Sequence, residues 1–104
     1  MRKKLEKYNG EYIEVTSKLI KSVRENGYHN LMFGKMIMGD EVLTDHFWTA
    51  ATNIRNRKSI LKELEIGKTY KLRGKIYIYK KLSKKNGSKT VMDYGIKSIR
   101  IEEV

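Results

Sequence analysis

The chain has 104 residues, enough for one compact core and too few for a second. It contains no cysteine, which excludes a disulfide framework and every thiolate metal site, so stability must come from packing, and a reducing compartment fits. Lys and Arg number 23 against 12 Asp and Glu, a formal charge of +11. That surplus favours a polyanionic partner, most often nucleic acid, although lysine-rich genomes also produce basic small proteins that have none.

No apolar run approaches the roughly 20 residues that a membrane span needs. The basic start M-R-K-K is followed by Glu6, Lys7 and Asn9 rather than by the apolar stretch of a signal peptide. The expectation is a cytoplasmic protein with no membrane partner. Residues 1–10 read as a basic N-terminal arm, frayed or coiled into one helical turn, and end in the turn signal Asn9-Gly10. Residues 11–104 read as a single domain.

From Tyr12 to Val23 the pattern alternates, and the phase slips by one at Leu19-Ile20. Such a slip predicts a bulge that lets one strand serve two sheets. Asn26-Gly27 supplies the positive φ angles of a hairpin turn into a second, antiparallel strand over His29 to Met38, apolar on both faces. Gly39-Asp40 turns the chain into a third strand, Glu41 to Trp48. Thr52-Asn53 is a helix cap, followed by a short helix over Ile54 to Leu64 with Ile54, Leu61 and Leu64 on one face and Arg55, Lys62 and, to one side, Arg57 pointing out.

The stretch Gly67 to Tyr79 is the most legible part of the chain. Tyr70, Leu72, Ile76 and Ile78 fall on one face of a period-two pattern, and Lys71, Arg73, Lys75, Tyr77 and Tyr79 on the other. Gly74 sits on the core side, where a missing side chain permits a bend or a close backbone crossing. A basic loop with a second Asn-Gly follows, and then a last strand over Val91 to Ile101. Three strands, a short helix and two strands, with a bent first strand, predict an all-β domain with one helix: the five-stranded Greek-key barrel called the OB-fold, with an SH3-like barrel as the competitor.

The segments M-G-D-E-V-L-T-D-H-F-W, L-E-I-G-K-T-Y-K-L-R-G-K-I-Y-I-Y and D-Y-G-I together resemble a group of small OB-like proteins of phages and mobile elements of low-G+C Gram-positive bacteria. In that group a D-H-x-W segment, here Asp45 to Trp48, precedes a helix and a strand ending in an aromatic. The likeness spans roughly residues 28 to 97 and bears on fold and origin more than on activity. It implies a location in the host cytoplasm and admits a protein that inhibits a host nucleic-acid enzyme or ribonucleoprotein, in the manner of an anti-CRISPR protein.

Two tyrosines two apart on one strand leave the same face and can receive successive bases, unless the rings pack beneath the helix or the basic loop. Lys71, Arg73 and Lys75 precede them on that face, and Lys81, Lys84, Lys85 and Lys89 occupy the loop region beyond. Arg55 and Arg57 form a second basic group on the helix, and either Trp48 or its neighbour Phe47 is free to stack. Asp45 and His46 point to opposite faces of a strand and cannot readily hold one ion, so no metal or cofactor is expected. No phosphate-cradling glycine loop, nucleophile elbow or carboxylate pair is present, and no enzyme is expected. The sequence thus predicts a non-catalytic module for single-stranded DNA or RNA, with the host-enzyme inhibitor as its alternative.

Overall fold

A computed structural model of the protein describes residues 2–83 and 89–104. Lys84 and Lys85 lie outside the described residues, as does the side chain of Lys89. Strand β1 (Tyr12–Glu25) is shared between the two parts of the molecule. Residues 12–18 pair antiparallel with β6 (Thr69–Ser83), and the rest of β1 pairs with β2 (Tyr28–Phe33). The register shifts between Leu19 and Lys21, where the sequence changes phase. Ile13, Val15 and Leu19 point inward and are buried. Asn26 and Gly27 have φ of 49° and 81°, the twist a two-residue hairpin requires.

The expected second strand is two strands, β2 and β3 (Met36–Met38). At Gly34 the backbone N–H donates to Lys18 O at 2.8 Å and the carbonyl accepts from Ser17 Oγ at 3.1 Å, which draws the chain out of the β1–β2 ladder. Phe33 and Met36 are then both buried although they lie an odd three positions apart, so the alternation restarts. β3 pairs with the first half of β1 and with β4 (Glu41–Thr44). The expected third strand divides in the same way at Asp45-His46. β4 stays with β3, while β5 (Phe47–Ala50) joins β2 and stacks Phe47 on Phe33 with ring centroids 5.3 Å apart.

The expected helix is shorter and starts later. Ala51–Asn53 is a 3-10 turn without a side-chain cap, α1 covers only Arg57–Ile60, and Leu61–Glu63 is again 3-10. Two long-range contacts explain why Thr52 and Asn53 cap no helix. Ile54 is buried and bridges in parallel with Ile99. The Asn56 amide takes both backbone groups of Ile101, donating at 2.7 Å and accepting at 3.0 Å. Residues 54–56 are thereby held against the edge of β7 (Lys89–Glu103) and cannot wind.

β6 and β7 form a long antiparallel ribbon, with Ile78 opposite Tyr94, so the strand that holds Tyr77 pairs with the strand that holds Tyr94, as two successive strands joined by a turn are expected to do. A bulge interrupts the ribbon between Arg73 and Lys75, opposite Lys97 and Arg100. Gly74 is required there, because a Cβ at that position would lie 2.6 Å from Ile96 Cγ1. Among the described residues seven strands replace the expected five, and they form one curved antiparallel sheet rather than a barrel closed by hydrogen bonds. Its path runs β4-β3-β1-β2-β5, with β6 on β1 and β7 on β6, so that β5 and β7 lie near each other without pairing among the described residues.

Residues Lys3–Tyr8 form a 3-10 helix beside β4 and β7. Its Leu5 is fully buried in the core with Phe33, Tyr70 and Ile76. Through Leu5, the segment that the sequence marked as a basic arm packs on the core. Tyr70 is buried as well, and its hydroxyl accepts the Glu65 N–H at 2.8 Å, which satisfies the polar end of a core ring.

Candidate nucleic-acid interface

On β6, Tyr70, Leu72, Gly74 and Ile76 face the core, which turns Lys71, Arg73 and Lys75 outward. Register then decides their neighbours. Lys71 lies between Thr16 and Glu102, Arg73 between Glu14 and Arg100, and Lys75 between Tyr12 and Lys97. The face is therefore cationic but carries two carboxylates that strand alternation on β6 alone did not reveal.

Arg73 and Arg100 stand directly opposite each other, an arrangement that costs free energy unless an anion lies nearby. Lys97 and Arg100 are three apart and would leave opposite faces of a regular strand. Ser98, with φ of 53°, supplies the bulge that brings both outward while Ile96, Ile99 and Ile101 stay buried. Arg55 is fixed beside them by its backbone N–H, which donates to Ile99 O at 2.6 Å. Arg55, Arg73, Arg100 and Tyr12 line one shallow depression of about 350 Å³. Arg100 Nε lies 3.1 Å from Glu102. Arg55 and Arg73 have no carboxylate partner among the described residues.

A second cluster lies where β5 approaches β7. Trp48, Tyr77 and Tyr79 line a cavity of about 170 Å³ together with Arg2, Asn53 and Gly95. The two tyrosine rings are 5.5 Å apart at 36°, and they lean across Gly95, where a Cβ would come within 3.2 Å of both. Lys97 Nζ lies 4.9 Å from the Tyr77 ring centroid. Burial raises the Tyr77 pKa, with the neighbouring Tyr79 adding to the effect and Arg2 opposing it. The phenol is neutral at physiological pH. Trp48 is half exposed.

Arg2 ties this cluster together. Its guanidinium donates to Thr44 Oγ1 at 3.2 Å, to Tyr79 Oη and Tyr94 O at 3.2 Å each, and to His46 O at 3.3 Å. Its backbone N–H donates to Asp93 Oδ1 at 2.8 Å. Asp93 is buried and also accepts from Lys81 Nζ at 2.7 Å and from the Tyr94 N–H at 2.8 Å. Burial alone would push its carboxyl pKa up. The Lys81 hydrogen bond, the two backbone donors and the Arg2 charge outweigh it and bring the pKa down to about 2.

The predicted residues are thus divided among different settings. Arg55, Arg73 and Lys75 share the open face with Lys71, whereas Trp48, Tyr77 and Tyr79 gather at the cavity. Lys81 is bound to Asp93 and is not a free cation. Arg57 is exposed, donates to Ile54 O at 3.3 Å and lines neither site. Sequence reasoning missed Arg100, Lys97, Tyr12, Asn53 and Arg2. Only Tyr12 carried a readable signal, as an outward aromatic at the start of an alternating strand. Asp45 and His46 lie exposed between β4 and β5, and among the described residues no three His, Asp or Glu side chains come together. Among the described residues no helix is long and apolar enough to cross a membrane. Comparison with known protein families, characterised proteins and solved structures returned no match.

Proposed function

We propose that the protein is a non-catalytic module that binds single-stranded nucleic acid on the outer face of β1, β6 and β7. The finer fold reading goes with it: β2 with β3, and β4 with β5, act as the bent second and third strands of an OB-type barrel whose last seam is left unpaired. The observation that carries the reading is the convergence of Arg55, Arg73 and Arg100 from three separate chain segments on one depression beside Tyr12. Opposed guanidiniums with too few carboxylates to neutralise them suit bidentate contacts with phosphate. Lys71, Lys75 and Lys97 continue the cationic path on either side. Aromatic rings flank the path, and base stacking on such rings tolerates any sequence and needs an unpaired strand.

The test is a titration of labelled single-stranded DNA, single-stranded RNA and duplexes over a range of salt. A protein that neutralises about four to six phosphates of a single strand should give a log–log slope of about −3 to −4. Single strands should bind more tightly than duplexes. Absence of binding to every nucleic acid at low salt would remove this reading and leave the host-enzyme inhibitor in its place.

A further inference from the structure

The cavity at the β5–β7 seam has a job that the phosphate path does not explain. We infer that it is a receptacle for a single nucleobase splayed out of the bound strand, an inference that rests on the nucleic-acid reading above. Size is the first argument. At about 170 Å³ the cavity is well below the roughly 300 to 1,000 Å³ of pockets for drug-sized ligands, and its occupant is limited to about one flat heterocycle.

Wall chemistry is the second argument. Trp48, Tyr77 and Tyr79 present aromatic surface from two different strands, and Trp48 keeps half of its surface, 50 %, exposed. An indole so placed offers an open π face on which a base can stack. Asn53 also lines the cavity, and its side-chain amide has no hydrogen-bond partner among the described residues. A carboxamide offers one donor and one acceptor side by side, the complement of a base edge.

Position is the third argument. Tyr77 follows Arg73 by four residues on the same face of β6, a separation of roughly 13 Å at about 3.3 Å per residue. A few extended nucleotides span that distance, so one strand can rest its phosphates on the arginine depression and turn a base into the seam. Gly95 keeps the receptacle open, since any side chain there would press on both tyrosine rings.

Trp48 is the only tryptophan and reports directly on the site. A mixed-sequence single strand and its abasic counterpart, the same sugar-phosphate backbone without bases, are titrated while two signals are followed: anisotropy of an end label for all binding, and Trp48 fluorescence for the cavity. The base-containing strand should quench Trp48, and the abasic strand should not quench it and should bind about 5- to 150-fold more weakly, the range for losing a stacked base. Gly95→Ala should abolish the quenching and leave abasic binding and its salt slope unchanged. Asn53→Ala, which disturbs no packed ring, should weaken only the base-containing strand. Equal binding of both strands without quenching overturns the receptacle and leaves the nucleic-acid reading standing. Failure of both strands to bind overturns both.

Discussion

The two ends of the β6–β7 ribbon treat positive charge in opposite ways. Near Asp93, the cations Arg2 and Lys81 converge on one buried carboxylate and are consumed in holding the N-terminal helix, the β4–β5 link and the ribbon together. Near Ser98, Arg55 and Arg73 stand beside Arg100 and form no ion pair with a carboxylate among the described residues. A formal charge of +11 does not distinguish these groups, yet only the second is available to a partner. The useful quantity is the charge left after internal pairing.

That contrast is open to direct attack. The largest expected effect is at the latched end: Asp93→Asn leaves Arg2 and Lys81 without their counter-charge and should cost about 3 kcal/mol in a denaturant melt, the lower limit for a broken buried pair because Lys81 can turn to water. Acid should reproduce the loss in the native protein. The folded pKa of about 2 lies below an unfolded value near 3.9, so the stabilisation of about 2.5 kcal/mol is complete above pH 4 to 5 and disappears as pH falls through that value toward 2. A melt series over that range checks it, and Asp93→Asn should flatten the profile.

The smallest effect on stability, and the sharpest on binding, belongs to the open end. Arg73→Ala should change stability by less than about 0.5 kcal/mol while making the salt slope of nucleic-acid binding shallower by about 0.7. If Arg73→Ala destabilised the fold as much as Asp93→Asn, the two ends would not differ in kind.

Where the sequence was legible, a local period was visible against polar neighbours. The slip at Leu19-Ile20, the Asn26-Gly27 turn, the outward row Lys71, Arg73 and Lys75, and the pairing of the Tyr77 strand with the Tyr94 strand all belong to this class. Between Leu31 and Met38 both faces are apolar, so no period marked the break at Gly34. The helix was overdrawn because Ile54 has helical spacing to Leu61, while its actual partner is Ile99 on a distant strand. Arg100 was hidden by the bulge at Ser98, which reverses which face it occupies. Arg2 looked like part of a charged arm because nothing local announces a buried carboxylate 91 residues away.

The sharing of β1 also orders the events of folding. The β1–β2 and β6–β7 hairpins each join neighbouring stretches of chain and close short loops, which takes microseconds. The ladder between residues 12–18 and 69–75 joins those hairpins across most of the sequence, and such non-local closure is the slow step in small β proteins. Until it forms, the stretch of β6 from Thr69 to Lys75 presents a bare edge. Its outward row of Lys71, Arg73 and Lys75 then repels the same row on another chain, so the charges that serve the finished molecule also guard the unfinished one against aggregation.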